Sequence, residues 1–547
     1  MKKFLLIILA IIIVTGLIVS GCGEKSSTPT SSTTVKPPAS STPTSTAKPP
    51  TSTPTATSTK PPTQTTPVAG EPKYGGTFRW IADSSPAGNI GWNPTTFTVV
   101  GQYMLFDGLV KDWWNGDVTP ALATSWDINK DEPSITFHLR KGVKFHDGTD
   151  FNADAVKYNY DAFMEAMAKP DWKSVDIIDD YTVKVVLNTW RNTILRDFEN
   201  DPVVSPTGVR KNGVDWAMMH PVGTGPFILE SFEQDVKMIM VRNPNYWDTG
   251  KPYFDKFEIV YIPDFTTQKA AIQADEADAM LAEFGKQTAD FAGKAGFNVF
   301  AEPQASSFLV FDDANADSPF YDQKVREAVD YAIDRDWIAK NLGYGLWEPN
   351  YQLSPRTNVA YTKGYVGRQH DVEKAKQLLA DAGYPTGLKT QLLPCPLGLN
   401  RDIWVAVQQQ LAEAGIDAEL KFLEMSAFNE YRTPGIWKNA IVADTCPSWG
   451  NMAVGLNMMF GNGPFFNSMD KNRPDWLAAI AAATTTLNWN AELNRAAEQI
   501  LFKNASVIPV CNAGRGYVYR DYVKGADFGK RGSYFWAWNW ESTWLDK

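Results

Sequence analysis

Histidine, cysteine and basic charge are scarce in this sequence of 547 residues, and each scarcity removes a class of function. The four histidines are isolated and form no HExxH spacing, so neither a metal site nor any other cofactor is expected. The formal net charge is −10, and about −12 once Lys2 and Lys3 are removed. Because phosphate binding needs a basic face, this balance argues against a nucleic acid partner.

Only four cysteines are present, and no two of them form a CxxC pair. Cys22 stands directly after the apolar run 4–19, which follows Lys2 and Lys3 as in a secretory signal. The VSGC sequence at 19–22 resembles the lipobox of bacterial lipoproteins and predicts a lipid on Cys22. An uncleaved signal anchor is the alternative. Two alternatives stay open for the other three cysteines, one disulfide or three buried thiols. These cysteines are Cys395, Cys446 and Cys511.

Residues 24–70 consist almost entirely of Ser, Thr, Pro, Lys and Ala. Such a segment cannot bury apolar surface and is expected to be an extended, disordered tether. The rest of the chain is different, since 44% of all residues are apolar and 13% are aromatic. Its length exceeds the roughly 250 to 300 residues at which one core stops growing, so two or three domains are expected.

The stretch 120–161 shows the clearest local pattern in the chain. Ile135, Phe137 and Leu139 alternate with polar residues, which predicts a strand with one buried face. A turn follows at 147–148, and Asn152 is placed to cap a helix whose apolar face recurs at helical spacing. A strand, a turn and a capped helix are therefore predicted.

Further elements are predicted downstream. The GTG at 223–225 lacks a third glycine and a following helical pattern, so it indicates a turn into a strand rather than a phosphate loop. Residues 264–279 are predicted to be a helix. Asp322 and Asp371 are predicted to cap two more helices, and a further helix is expected to end at Gly415, before a strand through Phe422. Alternating helices and strands argue for an α/β lobe.

The stretch 120–161 resembles the family 5 solute-binding proteins of bacterial ABC importers. The resemblance recurs in the blocks PVGTGPF at 221–227, RNPNYW at 242–247, SPFYDQKVREAVDYAIDRD at 318–336 and HDVEKAKQLLADAGYP at 370–385. It implies an α/β fold of the type II periplasmic-binding-protein kind, with two lobes joined by a hinge that the chain crosses twice, and an extra small domain. Closure of the hinge around a ligand is the expected motion.

The resemblance also implies a division of the chain. The expected segments are a signal peptide at 1–21, a lipidated cysteine and tether at 22–70, lobe I at 71–111, 217–300 and 513–547, the small domain at 112–216, and lobe II at 301–512.

Ligand-binding residues are expected from the same resemblance. Asp444 stands where peptide-binding members present a carboxylate to the peptide ammonium, although a turn or capping role is the alternative. Thr98 and Val99 lie in the segment that corresponds to the strand pairing with a peptide backbone. Phe308 and Trp449 are expected to line the cleft, with burial in a core as the alternative for each. No catalytic residue is expected.

The function implied is capture of an oligopeptide or similar polar solute and its delivery to a permease and ATPase. A monomer is expected, anchored through its lipid on the extracytoplasmic face of the cell membrane. The 20 tryptophans leave an oligosaccharide-binding receptor as an alternative function. A surface-tethered glycoside hydrolase is the alternative from another functional class. Residues 445–448 depart from the continuation found in peptide binders, which leaves the ligand open.

Overall fold

The computed structural model describes residues 70–86, 89–94, 101–113, 116–167, 171–283, 285–301, 305–396, 401–431, 439–447, 451–461, 474–513, 515–528 and 539–547. The strands in these ranges are β1 (Thr77–Ala82), β2 (Val110–Asp112), β3 (Val118–Pro120), β4 (Ala123–Asn129), β5 (Ser134–Leu139), β6 (Trp172–Asp179), β7 (Thr182–Leu187), β8 (Phe227–Glu233), β9 (Lys237–Arg242), β10 (Lys256–Tyr261), β11 (Ala279–Glu283), β12 (Phe297–Phe300), β13 (Ala305–Phe311), β14 (Glu348–Pro349), β15 (Leu388–Pro394), β16 (Ile416–Leu420), β17 (Ala440–Pro447), β18 (Val507–Asn512), β19 (Arg515–Arg520), β20 (Val523–Lys524) and β21 (Trp544–Leu545).

The helices in the same ranges are α1 (Gln102–Leu105), α2 (Ala153–Met167), α3 (Ile194–Asn200), α4 (Pro206–Asn212), α5 (Val214–Ala217), α6 (Phe265–Gln273), α7 (Lys286–Ala289), α8 (Gln323–Ala332), α9 (Arg335–Leu342), α10 (Val372–Asp381), α11 (Arg401–Glu413), α12 (Met425–Tyr431), α13 (Met452–Phe460), α14 (Pro474–Thr485) and α15 (Ala491–Lys503). Short 3₁₀ turns occur at Pro319–Tyr321 and Trp540–Ser542. Over the described residues, no helix combines the length and apolar character that a membrane crossing requires.

Two large mixed sheets organise the molecule. One has seven strands in the order β12-β19-β11-β1-β10-β9-β8, and the other has six in the order β14-β18-β13-β17-β15-β16. The chain passes from the first to the second between β12 and β13 and returns between β18 and β19. The two sheets therefore form the centres of two α/β lobes, as the fold resemblance predicts.

A separate four-stranded sheet has the order β4-β5-β7-β6. Its strands β4 and β5 belong to the stretch 120–161, whose pattern is the clearest in the sequence. The predicted strand is β5, in which Ile135 and Phe137 are fully buried. The predicted turn has Gly148 at φ +82°, a backbone conformation that glycine adopts without strain. Asn152 accepts a hydrogen bond from the Ala155 amide at 3.1 Å, so the predicted helix α2 begins where expected.

Most predicted helix ends are confirmed. The side chain of Asp322 accepts from the Lys324 amide at the start of α8, and that of Asp371 accepts from the Lys374 amide at the start of α10. Helix α11 ends two residues before Gly415, which has φ +88°.

Two predicted elements were wrong in extent. The helix expected over 264–279 ends at Gln273, because Asp275 takes a left-handed φ of +63° and the chain then enters β11 at Ala279. The strand expected to reach Phe422 ends at Leu420, and Phe422 is 37% exposed. In both places the apolar spacing continues past the end of the element.

The hydrophobic interior is divided into clusters. One packs the seven-stranded sheet against the four-stranded sheet, and it includes Phe78, Phe137, Phe257 and Trp540. Two others lie on opposite faces of the six-stranded sheet, with Trp404 in one and Phe308 in the other. Cys395, Cys446 and Cys511 are buried, and none of the three forms a disulfide among the described residues. The two large sheets therefore have separate hydrophobic cores.

Candidate functional site

A cleft lies between the carboxyl ends of strands from both large sheets. In the seven-stranded sheet β1 runs parallel to β10 and β11, so the three strands end at one edge. In the six-stranded sheet β15 runs parallel to β17, and their carboxyl ends share an edge as well. Loops at the carboxyl ends of parallel strands are the usual position of ligand sites in α/β folds.

A cavity of about 490 Å³ occupies part of this cleft. Its walls come from both lobes. The seven-stranded side supplies the loop after β1, the start of α6 and the segment around α7, and the six-stranded side supplies the end of α9 and the start of α11. The lining residues are Asp83, Pro263, Phe265, Gln268, Leu281, Ala282, Gly285, Lys286, Gln287, Thr288, Leu342, Tyr344 and Asp402.

Charged and aromatic groups face one another across the cavity. Lys286 forms an ion pair with Asp290 at 2.9 Å, and this hydrogen bond, together with the negative charge of Asp290, raises the pKa of Lys286. Tyr344, from the opposite lobe, lines the same cavity as Lys286. Tyr344 is half exposed and has a φ of +50° between two glycines. The cavity thus combines both charges with an aromatic wall from each lobe.

Gln268 is held rigidly in the cavity wall. It lies on α6, is 2% exposed, and donates from Nε2 to the Ile262 carbonyl at 2.6 Å. Asp264 caps the same helix by accepting from the Thr267 amide at 2.8 Å. These two bonds set the orientation of α6 relative to the edge of the sheet.

Asp444 lies on β17 at the carboxyl edge of the six-stranded sheet. It is 5% exposed, and its Oδ1 accepts from the Thr445 amide at 2.8 Å. It is opposite Phe308 in the antiparallel pairing with β13, so the two side chains share a face of the sheet. The Phe308 ring has no exposed area and packs edge-on against Phe460, with ring centroids 5.4 Å apart. Whether either residue touches a ligand stays a prediction.

A second carboxyl group lies deep on the same face. Glu498 of α15 is 2% exposed and accepts from Ser354, from the amide at 2.6 Å and from Oγ at 2.8 Å. Burial raises the pKa of Glu498 to about 7, against an ordinary value of 4.5. Burial also raises the pKa of the Cys446 thiol, and the charges of Glu498 and Asp444 raise it further. Two buried carboxyl groups, Glu498 and Asp444, therefore lie near the Cys446 thiol behind the end of β17.

Glu498→Gln is expected to raise the free energy of unfolding by about 3 kcal/mol at pH 8 and to change it little near pH 4.5. Between an unfolded pKa of 4.5 and a folded pKa of about 7, the folded protein binds more protons, so its stability falls as pH rises through that window. Glutamine has no charge to bury, its oxygen can accept from the Ser354 amide, and its Nε2 can donate to Ser354 Oγ. Urea unfolding from pH 4.5 to 8 measures the difference.

The matched control for this prediction is Glu492→Gln, a change of the same group at an exposed position of α15. It is expected to leave the difference between pH 4.5 and pH 8 as in the wild type. An equal effect of both variants would mean that burial of Glu498 does not cause the pH dependence.

The other predicted site residues cannot be placed. Thr98, Val99, Trp449 and the predicted lipidation site Cys22 lie outside the described residues. The cavity residues Asp83, Lys286, Tyr344 and Asp402 were missed by sequence reasoning. One signal was available, because Asp83 directly follows β1 and Asp402 lies in the first turn of α11, the helix after β15. That Tyr344 lies opposite them follows only from the arrangement of the lobes.

Comparison with known proteins identifies the family. The pattern of the family described as "Bacterial extracellular solute-binding proteins, family 5 Middle" matches residues 117–467, more than half of the chain. Glutathione-binding protein GsiB of Salmonella choleraesuis is 31% identical over 386 residues, which cover 64% of this chain and 74% of that protein. Heme-binding protein A of Haemophilus influenzae is 33% identical over 312 residues, 50% of this chain and 55% of that protein's own length.

A solved structure supports the fold independently. The periplasmic binding protein DppA from Helicobacter pylori, in complex with the peptide STSA, superposes with a TM-score of 0.71 at 23% identity, covering 87% of this chain and 99% of that one. The fold is thus of the type II periplasmic-binding-protein kind, with two α/β lobes facing a cleft. The chain belongs to family 5 of the bacterial extracellular solute-binding proteins.

Proposed function

We propose that this protein captures a small solute carrying an ammonium group, an oligopeptide or a peptide-like molecule, in the cleft between its two lobes. The observation that carries the proposal is the cavity between the carboxyl edges of both sheets, walled by residues of each lobe. Closure of both lobes on a solute removes it from water, which strengthens every charged contact inside.

The charges at this edge favour a cationic group. Asp83 and Asp402 line the cavity, Asp444 lies at the same edge of the six-stranded sheet as Asp402, and Glu498 lies behind it. A buried carboxylate is stabilised by an opposite charge and by hydrogen bonds, and an ammonium group supplies both. Lys286 offers the complementary charge for a carboxylate on the same ligand. A zwitterion such as a short peptide satisfies both signs.

The remaining properties follow from this role. We propose that the solute is passed unchanged to an ABC permease and its ATPase, and that the protein acts as a monomer. Anchoring through a lipid on Cys22 at the extracytoplasmic face, with residues 24–70 as tether, is supported by the sequence pattern. The relatives bear names for glutathione and heme binding, and the solved neighbour holds a peptide, so members of this fold accept chemically different ligands.

The experiment is native mass spectrometry of the purified full chain, followed by denaturation and identification of any released small molecule. One ligand per chain with a primary amine, recovered intact after incubation, is the expected result. A neutral sugar would favour an oligosaccharide receptor, and its conversion to shorter products would show a hydrolase. Either result would overturn the proposal.

A further inference from the structure

The segment 190–192 joins two lobes that are otherwise folded around separate cores. Trp190 belongs to the hydrophobic cluster shared by the four-stranded and seven-stranded sheets. Helix α14 packs through Trp476, Ile480 and Ala483 into a cluster of the six-stranded sheet. Contacts between this segment and α14 therefore link the two lobes, in addition to the passages of the chain between β12 and β13 and between β18 and β19.

Asn192 and Trp190 cap the end of helix α14. The backbone amide of Asn192 donates to the Thr484 carbonyl at 2.8 Å, and its side-chain Nδ2 donates to the Ala483 carbonyl at 2.8 Å and to Thr486 Oγ1 at 2.9 Å. Trp190 Nε1 donates to the Thr486 carbonyl at 3.0 Å. The last carbonyls of a helix have no partner within it, so the caps of α14 come from the opposite lobe.

A fifth bond ties the same asparagine to the start of helix α13. Asn451 donates from Nδ2 to Asn192 Oδ1 at 2.7 Å, while its own Oδ1 accepts from the Ala453 amide at 3.1 Å and caps α13. Asn451 follows Asp444 by seven residues along the chain. All the hydrogen-bonding atoms of the Asn192 side chain are thus used across the cleft.

The segment is held in shape by its own domain. Arg191, between the two contact residues, pairs with Asp171 at 2.6 Å and Asp197 at 2.5 Å and donates to Thr193 Oγ1 at 3.0 Å. A loop fixed in this way loses little conformational freedom when it meets a partner surface. Asn192 is therefore presented to α14 by a rigid support.

We propose that Asn192 is a latch that holds the cleft closed on the side where β17 leads into α13. A rigid separation of the two lobes breaks all five bonds together, and closure restores them together. The latch acts on the lobes themselves and holds for any solute. Under the proposed function, the latch retains the captured solute in the closed cleft.

Hydrogen–deuterium exchange of the full chain, without added ligand, tests the latch through the Asn192 amide, whose bond partner lies in the other lobe. Asn451→Asp keeps the cap of α13 but places a second oxygen against Asn192 Oδ1. Turning the Asn192 amide would instead direct its oxygen toward the Ala483 carbonyl. Exchange at Asn192 is expected to become about 10-fold faster or more, while the Ala453 amide and the amides of β5 keep their protection.

The matched control is Asn490→Asp. Asn490 caps α15 in the same way, by accepting from the Glu492 and Leu493 amides, and has no bond to residues 190–192 among the described contacts. It is expected to leave Asn192 exchange unchanged. A second variant, Thr486→Val, removes one acceptor and should speed the same amide by a smaller factor.

Unchanged exchange at Asn192 in both Asn451→Asp and Thr486→Val would overturn the latch. Equal loss of protection in β5 would also overturn it, since that result means general destabilisation. Because no ligand is added, failure to find an ammonium-bearing solute leaves these outcomes untouched, and the two proposals fail separately.

Discussion

Glu541→Gln lowers the free energy of unfolding by about 3 to 5 kcal/mol, the expected cost of breaking one buried ion pair. The Glu541 carboxylate lies 2.5 Å from the Lys111 ammonium, and their side chains are 1% and 9% exposed. Lys111 also lies over the Trp247 ring, with Nζ 5.5 Å from the centroid. Glutamine leaves the ammonium buried without a counter-charge. Urea unfolding at pH 7, followed by tryptophan fluorescence, measures the loss.

The chain offers a matched control near the same terminus. Asp546 pairs with Lys73 at 2.6 Å, but both side chains are largely exposed, 41% and 55%. Asp546→Asn is expected to leave the urea midpoint close to that of the wild type, since exposed pairs contribute little. The double variant Lys111→Met with Glu541→Leu should recover most of the stability, because it removes both buried charges. A small effect of Glu541→Gln would mean that water reaches Lys111.

The second large effect is expected on binding. Under the proposed function, Asp444→Asn weakens affinity for the solute identified by mass spectrometry by about 30-fold or more, because a buried ammonium loses its counter-charge while the size of the side chain is kept. Asp444 is already 95% buried in this structure, so water can replace little of the lost interaction. Isothermal titration calorimetry of the ligand-free protein measures the change.

Asp417→Asn serves as the control for charge. Asp417 lies on β16 of the same sheet, its side chain is 74% exposed, and it faces Lys389 at 3.8 Å. Its replacement should leave affinity unchanged. If Asp444→Asn binds as tightly as the wild type, Asp444 is not the anchor, and the cavity residues Asp83 and Asp402 become the next positions to replace.

Local sequence patterns were sufficient for elements whose signals lie within a few residues. The alternation in β5, the Asn152 cap and the caps at Asp322 and Asp371 were all readable because strand period and capping depend on nearest neighbours. The same reasoning overextended the helix after Asp264, since apolar spacing does not show that Asp275 turns left-handed.

The candidate site was only partly readable. Asp444 and Phe308 were each predicted from their position in the family resemblance, and the structure pairs them on neighbouring strands. The cavity needs Asp83, Phe265, Lys286, Tyr344 and Asp402 together, and these positions span more than 300 residues of chain. No local period relates them, because the relative placement of two lobes is set by long-range packing.

The sequence by itself therefore determined the family, the α/β class, the acidic balance and the local elements that build each lobe. Tertiary structure alone decided which carboxylates become buried, as with Glu498 and Glu541, and which residues meet across the cleft, as with Asn192 and α14. The physical reason is range. Propensity and capping act between near neighbours, whereas burial and contacts across the cleft arise only when distant segments pack together.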